Sequence, residues 1–192
     1  MCEYLLPVVA EARAWELLTT PKYPRLAWFW NAIRLHDQYH AKQYLKIETV
    51  WMPFHRITFQ TEGQEKGKVS SLDTTVDAWS GAFAIVSFES ELYPGFPSGE
   101  YFPPRLDENE ACDIAYKQFL HTVMHQRSRG KKPLPKHIHD VSLLYWPFWV
   151  LYVQRKRMLD IRLLDAVTAQ PGGNRTKVGI LQAFTDAQST VK

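Results

Sequence analysis

Hydrophobic and polar positions divide this chain into two series of elements that run in the same order. Residues 25–46, "RLAWFWNAIRLHDQYHAKQYLK", set Leu26, Phe29, Ile33, Tyr39 and Tyr44 on an approximate helical stripe. "IETVWMPFHRITFQ" follows, rich in β-branched and aromatic residues, and reads as a strand. The polar, glycine-bearing "TEGQEKGK" turns the chain, "VSSLDTTVDAWSG" returns as a second strand, and "AFAIVSF" continues as a third. In the second series "LDENEACDIAYKQFLHTVMHQ" is the clearest helix. Ala111, Ile114, Ala115, Phe119 and Val123 make its apolar face, with Asp107 as N-cap and Glu110 at the capping-box position. "RSRGKKPLPKH" is a basic loop and "DVSLLYWPFWVLYV" a strand. "QRKRM" turns it, "LDIRLLDAVT" returns, "AQPGGNR" stops the return, and "TKVGILQAF" closes the chain.

Two segments lie outside these series. Residues 1–24 form an N-terminal extension with a short helix around 7–18, broken by "TTPKYP". Residues 92–106, "LYPGFPSGEYFPPRL", hold four prolines and two glycines, which exclude a regular helix or a central strand. This connector separates a first repeat, 25–91, from a second, 107–192. Its aromatics argue that it lies against the body.

The two series share wording as well as order. "VWMPFHRITF" (50–59) is echoed by "LYWPFWVLYV" (144–153), and the returning strands end on "TVDAWSG" (75–81) and "LLDAVTA" (163–169). The length difference between Pro53–Asp77 and Pro147–Asp165 falls in the hairpin turn, where insertions are cheapest. The pattern predicts an internal duplication: an α+β fold of two helix-plus-antiparallel-sheet repeats forming one compact body. A lone helix and hairpin buries its apolar face poorly, and two packed together do better. Pro53 and Pro147 each remove a ladder donor and are expected at an edge or a bulge. Asp77 and Asp165 stand at strand ends, where a carboxylate can accept backbone N–H groups of the next turn. All four are read as structural.

A helix, an aromatic strand and a return closing on "VDAWSG" or "LDAVTA" resembles the PepSY-type repeat, a small cystatin-like α+β unit. The matching residues are Val76, Asp77, Ala78, Ser80 and Gly81, then Leu164, Asp165, Ala166 and Thr168. The second copy departs at Ala169, where the family pattern has glycine. The resemblance implies binding, inhibitory or assembly roles rather than a shared chemistry.

Composition narrows the class. The chain has 192 residues, 45% hydrophobic and 14% aromatic, so core material is ample. A net charge of +3 is too mild to imply nucleic acid. Cys2 and Cys112 have no C-x-x-C spacing and fit a reducing compartment. The longest apolar stretch, 141–153, is shorter than the roughly 20 residues of a spanning helix, so a cytoplasmic protein is expected, with peripheral contact to a membrane as an extension of that reading.

Candidate chemistry is sparse. His36 and His40, and His121 and His125, sit four apart on predicted helices, a spacing that puts both rings on one face. His137 and His139 share a face of a strand start. These six are the metal alternative, but no H-E-x-x-H, spaced cysteine or Glu-x-x-His accompanies them. No G-x-S-x-G, Walker or G-x-G-x-x-G motif occurs. "PGGNRTK" is better explained as a turn than as a phosphate loop. No cofactor and no catalytic residue is assigned.

Basic and aromatic groups carry more. Arg127, Arg129, Lys131, Lys132 and Lys136 crowd one loop, and Arg155, Lys156 and Arg157 crowd a hairpin turn; both flank the same strand. They suit an acidic protein partner or anionic headgroups, and suit nucleic acid less well because few aromatics interleave. Trp28, Phe29 and Trp30 fan across roughly 200° of a helix, wider than one buried stripe. Trp146 and Trp149 fall on opposite faces of a strand that must be covered by its own fold or by a partner. The expected function is a non-enzymatic accessory or assembly subunit that binds a larger protein complex. A metal-binding protein or metal-dependent enzyme using the paired histidines, and a nucleic-acid binder using the basic loops, are the alternatives.

Overall fold

The computed structural model describes residues 1–20, 43–62, 69–88, 90–125, 135–155 and 158–190. The fold is mixed α+β. The strands are β1 (Cys2–Tyr4), β2 (Gln43–Glu62), β3 (Val69–Asp77), β4 (Phe83–Val86), β5 (Tyr93–Pro94), β6 (Glu100–Tyr101), β7 (Pro135–Arg155) and β8 (Met158–Asp165). The helices are α1 (Glu11–Thr19), α2 (Glu108–His125) and α3 (Asn174–Thr190). The strands join in the order β4-β3-β2-β7-β1-β5, with β6 added to β2 and β8 to β7. The sheet is mixed rather than purely antiparallel, because β1 runs parallel to β7 with Cys2 opposite Leu143.

The chain divides into two compact units, and neither unit is a continuous stretch. One takes residues 1–5 and 51–146, the other 6–50 and 147–192, so β2 and β7 each give part of their length to each unit. Strand structure reaches further than the sequence pattern suggests. Residues 43–46, expected to end a helix, already belong to β2. Pro135 to His139, expected in the basic loop or just after it, already belong to β7, where Ile138 is drawn into the core beside α2.

In the first unit β2 buries every odd-numbered position from Trp51 to Thr61, one face of the strand. Ile57 and Phe59 are fully buried and meet Val76 of β3 and the Ala111, Ala115, Phe119 and Val123 face of α2. Phe59 and Phe119 stack with ring centroids 5.1 Å apart. α2 starts as its sequence asks: Glu110 N–H donates to Asp107 Oδ1 at 2.8 Å, and Asp107 N–H donates to Glu110 Oε2 at 3.1 Å, a reciprocal capping box.

In the second unit Leu151, Val153 and Leu164 of the β7–β8 hairpin meet Ala14 and Leu18 of α1, with Tyr44 and Ile47 packed alongside. α1 has Ala10 at its N-cap and no side-chain bond there. It ends at Thr20, which is extended (φ −67°, ψ 130°), the conformation that the following Pro21 imposes on its predecessor.

The two hairpins carry the same bonds. β2–β3 pairing starts at Phe54↔Asp77 and β7–β8 pairing at Phe148↔Asp165. Pro53 and Pro147 each lie one residue before that start. Neither is at a sheet edge: both are buried, in strands with neighbours on both sides. Each stands where its strand changes partner. Trp51 accepts from Phe102 next to β6 and Phe54 then pairs with β3; Tyr145 accepts from Leu5 next to β1 and Phe148 then pairs with β8. A residue without N–H removes no ladder bond at such a point.

Candidate functional site

The repeated aspartates serve the backbone. Asp77 Oδ1 accepts from the N–H groups of Trp79 (2.8 Å) and Ser80 (3.2 Å), and Oδ2 accepts from the Ser80 hydroxyl (2.7 Å). Asp165 Oδ1 accepts from Val167 (2.8 Å) and Thr168 (3.0 Å). Each turn closes with a residue in the left-handed region, Gly81 (φ 66°) and Ala169 (φ 58°). Buried His55 is also committed to structure, with Nε2 2.9 Å from the carbonyl of Leu106.

Of the metal alternative, His36 and His40 lie outside the described residues. His121 and His125 are exposed on α2 with ring centroids 4.2 Å apart. His137 and His139 are exposed on β7, and His139 Nδ1 lies 3.4 Å from Gln60 Nε2. Among the described residues no three potential ligands gather around a point. Both cysteines are free. Burial pushes both thiols up, aided at Cys112 by Glu108 and Asp113; at Cys2 the N-terminal charge opposes it and Glu3 adds to it.

Of the partner residues, Arg127, Arg129, Lys131, Lys132, Lys156 and Arg157 lie outside the described residues, as do Trp28, Phe29 and Trp30. Lys136 is exposed on β7, and Arg155 pairs with Met158 in the hairpin. Trp149 is not at a surface. It is buried in the α1 cluster, and its indole N–H donates to the carbonyl of Val9 at 2.8 Å. The apolar strand is covered there by its own fold. Trp146 is half-buried between Phe54 and Phe88, at 6.1 and 6.0 Å.

The surface that stands out comes from the connector. Phe96 is 59% exposed and Tyr101 44% exposed, yet both are held: they lie 5.7 Å from each other, and 5.9 and 5.3 Å from the buried ring of Tyr145. Tyr93 packs on Tyr4 at 5.7 Å in the same unit. Phe102 and Pro97 anchor the segment inward. Burial, with smaller contributions from Cys2 and Tyr101, pushes the Tyr145 phenol up to about 12. The proline and glycine content of 92–106 marks irregular backbone. The aromatic spacing within it was the signal for this shelf.

A charged group lies in the same unit. Arg56 reaches Glu3 and Asp73, each at 3.3 Å; Thr58 and Ser142 donate to those carboxylates, and Phe88 covers the guanidinium at 5.3 Å. It ties β1, β2, β3 and β7 together.

Among the described residues no helix is long and apolar enough to cross a membrane. No family model, curated protein or solved structure matches the chain.

Proposed function

We propose that this chain is a non-enzymatic accessory or assembly subunit that docks on a larger protein complex, and that its body is one α+β unit carried twice. The duplication draws support from bonds that repeat in register. Ala78 N–H donates to the Pro53 carbonyl, and Ala166 N–H to that of Pro147. Arg105 and Leu106 both donate to the Ala78 carbonyl, and Val8 and Val9 both donate to that of Ala166. His55 bonds the Leu106 carbonyl, and Trp149 that of Val9. On this reading α1 answers α2 and β1 answers β6, so the first copy starts with β1 instead of residue 25. The PepSY-type resemblance rests on the same Asp-Ala turns.

The observation that carries the binding role is the shelf of Phe96 and Tyr101 on Tyr145. Exposed rings fixed by a buried neighbour lose little entropy on docking, and such aromatics anchor protein interfaces. The polar groups that a catalytic reading would use first, Asp77, Asp165 and His55, each bond turn or loop backbone. The basic residues of the sequence, Lys136 among them, suit an acidic partner or an anionic, membrane-proximal face in the cytoplasm. A photo-crosslinking residue placed at Phe96 is expected to join the chain to one larger protein, with no such product from the exposed control position Asn109 on α2. Equal products at both positions would remove the shelf as the interface.

A second reading, metal binding, is favoured by the His121–His125 pair alone. Zinc or copper bound in one-to-one ratio and lost in His125→Ala would support it.

A further inference from the structure

Among the described residues the outer edge of β8 is closed over only part of its length. One side of β8 pairs with β7 from Met158 to Asp165. On the other side the chain returns after the Asp165 turn, bridges Leu164 to Pro171, and bonds Gly172 N–H to the Leu163 carbonyl at 2.9 Å. It then departs into α3 at Asn174. The matching return beside β3 does not depart. It continues as β4, with Val76↔Phe83, Thr75↔Ala84, Thr74↔Ile85 and Asp73↔Val86. Counted from the two aspartates, Pro171 takes the place of Phe83 and Gly172 that of Ala84. The places of Ile85 and Val86 have no strand residue beside β8 among the described residues.

The edge there is satisfied by a substitute. In an antiparallel strand, alternate residues aim their N–H and C=O to the same side. The Leu163 carbonyl faces the return, so Ile161, two residues earlier, faces outward with it. Its N–H donates to the carboxylate of Asp160 at 2.9 Å, and Lys177 at the start of α3 holds that carboxylate. A cleft of about 340 Å³ opens alongside, walled by Leu17 and Leu18 at the end of α1, by Ile161 and Leu163, and by Gly172 and Lys177. Gly172 lets the backbone pass close: a Cβ there would come 2.6 Å from Leu163 Cβ. Leu159, next along the edge, is 58% exposed.

The geometry points to strand addition: this edge receives an extended segment of a partner protein, antiparallel to β8, with apolar side chains like those of β4. The inference rests on the binding-subunit reading and gives its partner a chemical form. The chain itself supplies the pattern of the occupant, since Phe83–Val86 fills the corresponding place beside β3. Main-chain bonds would supply affinity, and the apolar cleft would select the side chains.

The test uses the full chain and a capped synthetic peptide with the sequence of residues 82–87, AFAIVS, together with the same peptide N-methylated at alternate amides. Binding is followed by titration and by residue-resolved hydrogen exchange. The plain peptide is expected to bind and to slow exchange at Leu159 and Ile161. The methylated peptide is expected to bind roughly tenfold more weakly, the loss of one or two main-chain hydrogen bonds. Asp160→Ala, which removes the competing carboxylate, is expected to bind the plain peptide several-fold more tightly. Equal binding of both peptides, unchanged exchange along β8, or self-association of the chain that protects these amides without peptide would each overturn the proposal. If the peptide fails while the chain still enters a large assembly, the strand slot falls and the binding-subunit reading stands.

Discussion

The amide of Ala78 donates to the carbonyl of Pro53 at 3.0 Å. This bond closes the hairpin one step beyond its ladder, tying the residue after Asp77 to the residue before Phe54. Ala166 and Pro147 close the other hairpin in the same way at 3.1 Å. Each proline uses its acceptor and has no donor to leave idle, at the point where its strand changes neighbour.

The aspartates of these turns should be worth unequal amounts. Each accepts two turn amides, but Asp77 is 2% exposed whereas Asp165 is only half-buried. Asp77→Ala is expected to cost about 1–2 kcal/mol and Asp165→Ala about 0.5–1 kcal/mol, in line with lost caps and unsatisfied donors. Urea unfolding followed by tryptophan fluorescence measures both. Equal costs near zero would remove the capping role.

The last residue of each turn invites a reciprocal exchange. Gly81 and Ala169 both hold positive φ, which disfavours any residue with a Cβ. Ala169→Gly should stabilise by about 0.5–1 kcal/mol, and Gly81→Ala should destabilise by about 1 kcal/mol. A Cβ on Gly81 would sit at ordinary contact, 3.4 Å from Ile114 Cδ1, so strain rather than collision sets that cost. Thermal melts of the two variants should shift in opposite directions.

Tyr145 sets a pH dependence. Its ordinary value of 10.0 is pushed up to about 12, by burial first and then by Cys2 and Tyr101. A group raised in the folded state by burial of its neutral form contributes fully below its unfolded value, and that contribution is lost as pH rises through the folded one. Stability should therefore fall between pH 10 and 12 through this group. Tyr145→Phe should remove that part of the fall, read as the difference between the two proteins in denaturant melts across the range. Parallel curves would contradict it.

Much of this was legible in the sequence. The α2 stripe, its Asp107–Glu110 box and both hairpins follow from local periodicity and capping chemistry, which act over a few residues. The same is true of the aspartate turns. What escaped is non-local. Pro53 reads as an edge residue until β6 and β3 are seen to share the flank of β2. Trp149 reads as surplus until Val9 is brought to it from a distant part of the chain. Residues 1–24 look like an extension because Ala10 lacks the cap that marks the start of α2. Their tie to the β8 turn runs through backbone bonds of Val8 and Val9, which leave no trace in side-chain pattern. The Phe96 and Tyr101 shelf depends on Tyr145, far along the chain.

The pairing of α2 with β2 and β3 carries its own prediction. Phe119 is 1% exposed and lies against Phe59. Phe119→Ala is expected to cost about 3–5 kcal/mol through lost burial and the cavity left behind. Gln118→Ala, at an exposed position on the same helix, should change stability by less than about 0.5 kcal/mol. Chemical denaturation of the two variants side by side checks the packing.

If the chain docks through the shelf of Phe96 and Tyr101, the size of the particle that holds it is the direct measurement. Wild-type chain and a Phe96→Ser, Tyr101→Ser double variant are compared on native gels of gently lysed source cells, with circular dichroism of the purified variant to establish its fold. The wild type is predicted to migrate in an assembly far above its own 22.4 kDa, and the folded double variant to migrate free. A wild type that runs alone, or a double variant that stays with the assembly, would contradict the account.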